Sequence, residues 1–261
     1  MPKSRYSPNE NAYPYAARSV SLTIRHVAPN QVTAPGIVDD MHQILSEAER
    51  KRMLAFTSDR HRHNYLVSHA LKRYVIAQIL DESPDRLTFT ATETGKPLIH
   101  SPPHGRSCHF NISHSEGRVV IAVSQNPVGI DVENTSRSIP DLAIAKRFFA
   151  AREYSLIAAH PPETQSLQFF KHWTLKEAYL KAEGWGLANR LDAVAFEVSD
   201  PIVMSVLDPI AAPSANWRFW QTPLAPNHLL SVAYRSTSAA EDTVIDCRDW
   251  HLEDSISKPK P

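Results

Sequence analysis

Two stretches of this chain run through the same order of elements. In each, helical periodicity is followed by a strand–loop–strand close, at residues 110–123 and again at 217–234. A chain that closes twice in the same way is steered towards two similar halves, with a boundary near Gln125-Asn126-Pro127. Its strands and helices do not alternate strictly, which favours α+β over a doubly wound parallel sheet. The expectation is an α+β fold with halves at 19–125 and 126–250, a loose leader at 1–18 and a frayed tail at 251–261.

The elements follow from local pattern. Residues 20–27 alternate apolar and polar as a strand does. Ser46-Glu47-Ala48-Glu49 has capping-box spacing and opens a helix carrying Met53, Leu54 and Phe56. A second helix spans 59–80, with Leu66, Ala70 and Tyr74 on one line and Val67, Leu71, Val75 and Ile79 on the next. Residues 87–91 read as a strand and Gly95-Lys96-Pro97 as a turn. Strands are expected at 110–113, 119–123 and 128–133, and helices at 142–149 and 153–159. A long helix at 167–183 stops at Gly184, placed where a C-cap glycine belongs. Strands at 193–198, 217–220 and 229–234 complete the chain.

Bulk composition excludes several classes. Lys+Arg and Asp+Glu are equal at 28 each, so no global field recruits nucleic acid or an anionic membrane. Cys108 and Cys247 are the only cysteines and form no CxxC pair, which argues against a disulfide scaffold or zinc ribbon and fits a reducing, cytoplasmic setting. No window approaches the roughly 18 apolar residues of a membrane span, and no apolar signal segment opens the chain. The 13 histidines show no HExxH spacing, so zinc is not expected. Nucleophile elbows, Rossmann glycines and Walker-type loops are absent as well.

Charges stand where the pattern calls for hydrocarbon. In the strand Gly129-Ile130-Asp131-Val132-Glu133, Asp131 and Glu133 share a face about 7 Å apart. In the helix at 167–183, Phe169, Trp173 and Leu180 mark an apolar stripe, and Lys176 and Glu177 fall inside it. A buried charge needs a partner, and a metal for Glu177 with an anion for Lys176 would supply one. Three acids able to share a hard cation point to chemistry on a phosphate ester or anhydride. The plainer readings are a solvent-facing edge strand and a surface pair between Glu177 and Lys181. Asn111-Ile112-Ser113-His114-Ser115 offers hydroxyl, amide and imidazole groups that can cradle a phosphate, or can merely satisfy their own loop. Lys96 on its rigid turn and the cluster Arg60, His61, Arg62, His63 are further cations for a phosphate, or a solvated lysine and helix end.

Taken in order, Gly95-Lys96-Pro97, residues 110–115 (FNISHS), 128–133 (VGIDVE), Lys146-Arg147-Phe148-Phe149 and residues 173–178 (WTLKEA) with Lys181 resemble the motifs of the 4′-phosphopantetheinyl transferases of the Sfp type. That class activates nonribosomal peptide and polyketide synthases. The motif match covers 95–181, and a weaker similarity covers about 20–235. The resemblance implies two similar α+β halves related by a pseudo-twofold, with the active site in the cleft between them. It implies magnesium on Asp131, Glu133 and Glu177, carried by the second half. It also implies that Gly95, Lys96, Pro97, Ser113, His114, Lys176 and Lys181 hold coenzyme A. Where the family often has an arginine for the nucleotide 3′-phosphate, this chain has Asn64, so Arg60, Arg62 or His63 takes that role.

The expected reaction moves 4′-phosphopantetheine from coenzyme A to a serine of an apo acyl or peptidyl carrier protein and releases 3′,5′-ADP. The protein is expected to act as a monomer, without nucleic acid or membrane. Glu177 is the candidate base, with another carboxylate or a metal-bound hydroxide as alternatives. Lys181 is the candidate for stabilising or protonating the leaving phosphate. Two other readings stay open: a magnesium-dependent nucleotide-diphosphate hydrolase, and a non-catalytic carrier-binding module.

Overall fold

The computed structural model describes residues 21–137, 142–184, 191–208, 216–236 and 243–252. The first half runs β1 (Ser21–Val27), α1 (Pro35–Ile44), α2 (Glu47–Leu54), α3 (Asp59–Leu80), β2 (Thr88–Ala91), β3 (Pro97–Ser101), β4 (His109–Ser115) and β5 (Arg118–Ser124). The second half repeats that order as β6 (Val128–Asn134), α4 (Ala143–Phe148), α5 (Ala151–Ala159), α6 (Pro162–Glu183), β7 (Val194–Glu197), β8 (Val203–Val206), β9 (Trp217–Leu224) and β10 (His228–Arg235). A last strand, β11 (Val244–Asp249), follows. Within the halves the main sheets correspond strand for strand: β1-β5-β4 in the first and β6-β10-β9 in the second, all antiparallel. Each half also has a two-stranded ribbon, β2-β3 or β7-β8, and one 22-residue helix. The α+β duplication expected from the order of elements is present.

The halves join sheet to sheet. Leu22 and Ile24 of β1 and Val120 and Ala122 of β5 share a core with Val128, Ile130 and Val132 of β6 and Leu230 and Val232 of β10. The alternate residues of β5 (Val119, Ile121, Val123) face α3 instead, with Leu66, Leu71 and Val75. Such a strand is buried on both faces and reads as an unbroken apolar run. The layers are therefore α3, first sheet, second sheet, α6, and burial of apolar surface in three cores holds them together.

Each half contains the same buried device. Glu49, at the third position of α2, closes the capping box with Ser46 and accepts from Lys72 Nζ at 2.8 Å, His69 Nδ1 at 2.8 Å and Arg73 Nη2 at 2.6 Å. Glu153, at the third position of α5, accepts from Ala150 N–H at 3.0 Å and Lys176 Nζ at 2.8 Å and lies 3.4 Å from His172 Nδ1. Arg73 also donates to the Leu87 carbonyl, and Lys176 to the Leu191 carbonyl. His69 and Arg73 stand as far from Asp81, the left-handed residue ending α3 (φ 55°), as His172 and Lys176 stand from Gly184, which ends α6 (φ 76°).

Four differences from the pattern-based reading have local causes. α1 begins with Pro35 at its first turn, a start signal that the pattern-based reading passed over. Pro161-Pro162 opens α6 rather than merely closing α5, because proline is favoured where no N–H is needed. β3 and β8 are short members of exposed ribbons. β11 corrects the domain assignment: it pairs in parallel with β1 of the first half, from Ser21↔Val244 to His26↔Asp249, although it lies within 126–250. Leu252, expected in the tail, is buried beside that half's core, and Trp250 packs 5.9 Å from Tyr74. The leader at 1–18 and residues 253–261 lie outside the described residues. Among the described residues no helix is long and apolar enough to cross a membrane.

Gly129 sets the spacing between β6 and α6. A Cβ there would sit 2.1 Å from the Ala178 carbonyl oxygen and 2.4 Å from Ala182 N, both backbone atoms. Gly129→Ala is expected to destabilise the protein by about 1–3 kcal/mol, because α6 must lift off the strand. A lowered midpoint in thermal melting checks this, and an unchanged melt would show that the helix is not seated as described.

Candidate active site

Strand alternation aims the acids at the long helix. Ile130 and Val132 enter the inter-sheet core, so Asp131 and Glu133 share the opposite face with Gly129, against which α6 lies. Asp131 and Glu177 are each 4% exposed, and Glu133 is half-buried. The edge of the first sheet completes the arrangement. Asn111, Ser113 and Ser115 alternate out of β4 towards β6. Asn111 Oδ1 accepts the Ile130 N–H at 3.0 Å, Ser113 Oγ donates to Asp131 Oδ1 at 2.9 Å, and Ser115 Oγ donates to Glu133 Oε2 at 2.9 Å. Lys181 reaches the same point from α6, its Nζ 2.6 Å from Asp131 Oδ1 and 3.0 Å from Ser113 Oγ. Both halves therefore supply the site.

Two oxygens in this centre are buried without a partner, Asp131 Oδ2 and Glu177 Oε1. Burial, and then the charges of Asp131 and Glu133 working against Lys181, push the Glu177 carboxyl up to about 7. Burial and the charge of Asp131 also raise Glu133, against the hydrogen bond from Ser115. The three carboxylates thus feel one another, as acids facing a common space do. Among the described residues no three His, Cys, Asp or Glu side chains close into a finished metal cage. What the site offers is two orphaned carboxylate oxygens and a third carboxylate beside them, with one ammonium partly offsetting their repulsion. Hard oxygen donors of this kind suit magnesium or calcium rather than a soft metal.

The other residues singled out from sequence divide into three groups. Gly95 (φ 86°) makes the tight turn between β2 and β3, and Pro97 begins β3. From that turn Lys96 crosses to the second half and donates to the Ala182 carbonyl of α6 at 2.5 Å. Burial lowers its pKa. An ammonium has three donors, so one carbonyl does not exhaust it. His114 and Arg60 open into a neighbouring groove, away from the acids.

Arg62 and Lys176 depart from expectation. Arg62 lies on the outer surface of α3 in a pair with Asp59 at 2.6 Å and does not line the groove. Lys176 is fully buried, and its ammonium is held by Glu153 and the carbonyls of Leu191 and Val194. No donor is left for a cofactor phosphate, so the anion that compensates Lys176 is an internal glutamate. Residue pattern alone missed Glu153, His172 and the packing role of Gly129, and it did not give Ser115 its bond to Glu133. A glutamate three residues after a helix start is visible in sequence, but its second duty to a lysine on another helix is not.

Comparison with known proteins agrees with the motif resemblance. Residues 127–233 match the family model described as the 4′-phosphopantetheinyl transferase superfamily, and residues 37–126 match that of 4′-phosphopantetheinyl transferase, N-terminal. The chain is 35% identical to a 4′-phosphopantetheinyl transferase of Bacillus subtilis, over 69% of this chain and 78% of that protein. It is 36% identical to 4′-phosphopantetheinyl transferase Sfp of Bacillus subtilis (strain 168), over 59% of this chain and 71% of that protein. It is 29% identical to the mouse L-aminoadipate-semialdehyde dehydrogenase-phosphopantetheinyl transferase, over 77% and 70% of the two chains.

Proposed function

This chain belongs to the 4′-phosphopantetheinyl transferase superfamily, and we propose that Asp131, Glu133 and Glu177 are the carboxylates with which it holds magnesium against the diphosphate of coenzyme A. The protein transfers the 4′-phosphopantetheine group of coenzyme A to a carrier-protein serine, releasing 3′,5′-ADP. The observation that supports the metal assignment is the pair of buried, unpartnered oxygens on Asp131 and Glu177. Natural proteins rarely leave such atoms unsatisfied without a functional reason. Bound there, a divalent cation would neutralise charge on the diphosphate and on the departing nucleotide.

The residues around it have assignable work. Lys181 and Ser113, already joined at 3.0 Å, present an ammonium and a hydroxyl beside Asp131, placed for the leaving phosphate. Lys96 approaches the same end of α6 from the first half. Glu177 is the candidate base in this reading, through the carboxylate oxygen other than the Oε1 given to the metal. Most of the rate would come from positioning and electrostatics, as in phosphoryl transfer generally.

Incubation with coenzyme A, magnesium and an apo carrier protein tests the assignment by intact mass. The carrier should gain one phosphopantetheine, and excess chelator should prevent the gain. Magnesium titrated without substrate should also raise the melting temperature of the wild type. Undiminished transfer in chelator would remove the metal from the mechanism. Cleavage of coenzyme A with no gain on the carrier would instead point to a diphosphate hydrolase.

A further inference from the structure

A buried polar network lies beneath α6, where the helix covers the second sheet. Thr174 Oγ1 donates to the Phe170 carbonyl at 2.8 Å and lies 2.7 Å from Ser231 Oγ. Gln221 Nε2 donates to Ser231 Oγ at 2.8 Å and to the Lys171 carbonyl at 2.9 Å. A hydroxyl has one proton, and that of Thr174 is committed to Phe170, so Ser231 donates to Thr174. The bonds therefore run one way, from Gln221 through Ser231 and Thr174 to the helix backbone. Thr174 and Ser231 are both 0% exposed, and Gln221 is half-buried.

The network adjoins the carboxylate centre. Strand pairing sets Ser231 opposite Asp131 on β6 and opposite Gln221 on β9, so the three form one row on the face that α6 covers. On the helix, Thr174, Glu177 and Lys181 fall at i, i+3 and i+7, along one line. Polar bonds tie that line to the sheet on both sides of Glu177. Thr174 meets Ser231 before it, and Lys181 meets Asp131 at 2.6 Å after it.

The first half shows the same contact without the acids. Leu71 follows His69 by two residues, as Thr174 follows His172, so the two hold matching places on α3 and α6. β5 lies between β1 and β4 as β10 lies between β6 and β9. Leu71 is 0% exposed and shares a core with Val119, Ile121 and Val123, the residues of β5 that face α3. The fold therefore closes this interface with hydrocarbon where no carboxylate has to be placed. Apolar contact tolerates small slides and turns of a helix. A satisfied chain of buried hydrogen bonds does not, because each bond weakens steeply with distance and angle.

Glu177 Oε1 has no partner, and Asp131 and Glu133 repel an ionised Glu177, so the helix must be held to the sheet by other bonds. Resting on the magnesium assignment, we infer that Thr174, Ser231 and Gln221 are positioning residues that fix the turn of α6 about its axis, so that Glu177 stands beside Asp131 for the cation. They act through Glu177 and not on the substrate.

Three variants test the inference. Thr174→Ser keeps the hydroxyl, and Thr174→Val removes it while keeping the shape. Thr174→Val with Ser231→Ala removes both hydroxyls, and Gln221 keeps the Lys171 carbonyl. Melting in chelator reads the fold alone, and calorimetric titration of magnesium, with and without coenzyme A, reads the site. Thr174→Val strands the Ser231 proton and should melt below wild type. The double variant should regain most of that loss, since replacing both partners by apolar groups is nearly neutral. Its magnesium affinity should still be about tenfold to a hundredfold weaker than wild type, the usual effect of removing a group that orients a metal ligand. Its transfer should need correspondingly more magnesium for half the maximal rate. Thr174→Ser should bind magnesium as wild type does. A double variant that recovers magnesium affinity together with its melting temperature would show a merely structural network and overturn the positioning role. So would a Thr174→Ser variant as weak for magnesium as Thr174→Val. In both cases a wild type that binds magnesium leaves the metal assignment standing. If the wild type binds no magnesium in either titration and transfers undiminished in chelator, the metal assignment falls and the positioning role falls with it.

Discussion

Glu177→Gln should reduce transfer from coenzyme A to a carrier protein by about a thousandfold or more, while the metal-free protein melts at the same temperature as wild type or higher. The two halves of that expectation come from one geometry. Glu177 is 4% exposed, its Oε1 has no partner, and the nearby charges of Asp131 and Glu133 oppose its ionisation. A carboxylate in that position weakens the apo fold, so the neutral isostere relieves a cost. Asp131 is the useful contrast. Its Oδ1 is held by Lys181 at 2.6 Å and Ser113 at 2.9 Å, so Asp131→Asn should lose activity and some stability together. Transfer rates beside thermal melts in chelator separate the cases. Magnesium should raise the wild-type melting temperature and leave that of Glu177→Gln nearly unmoved. Unchanged transfer in both variants would take the carboxylates out of the mechanism.

Legibility in the sequence followed the range of the interaction. The acids were readable because Asp131 and Glu133 break the pattern of a strand, and Glu177 that of a helix, within a few residues of their own neighbours. The helix at 59–80 was readable for the same reason, its period and its ends being local. β11 was not, because a parallel strand that joins the far edge of the first sheet leaves no mark on nearby sequence. Lys176 failed in a more instructive way. Its pattern violation was real and so was its need for an anion, but the pattern could not say whether that anion is a ligand or a glutamate at the start of α5. The matching cluster of the first half answers from within the same chain. Glu49, His69 and Arg73 form the same arrangement in the half without Asp131, Glu133 and Glu177, where the residue after Arg73 is Tyr74 and the residue after Lys176 is Glu177. A device present in both halves belongs to the architecture they share. The carboxylate beside it, present in one half only, is the one proposed for the chemistry.

That distinction predicts how Lys176 variants fail. Lys176→Met keeps the length of the side chain and leaves the Glu153 carboxylate, 1% exposed, without its ammonium. Breaking a buried pair on one side costs about 3–5 kcal/mol, a drop in melting temperature on the order of 10 °C for a chain of this size. The double variant Glu153→Gln/Lys176→Met should recover part of the loss, since no charge is then stranded. Acid should mimic the single change. Burial alone would raise the Glu153 carboxyl, but His172, Lys176 and the Phe196 N–H together hold it below the usual range. An acid whose folded pKa is depressed gives its stability above the unfolded value, near 4.3, and loses it as pH falls through the folded value. The wild type should therefore soften below about pH 4, and variants lacking Glu153 should lose less stability over the same interval. If Lys176 instead gripped the cofactor, Lys176→Met would melt like wild type and show its defect in KM for coenzyme A. A raised KM with an unmoved melting temperature would return Lys176 to the cofactor site, and a collapsed melt rescued by the double variant would keep it in the frame.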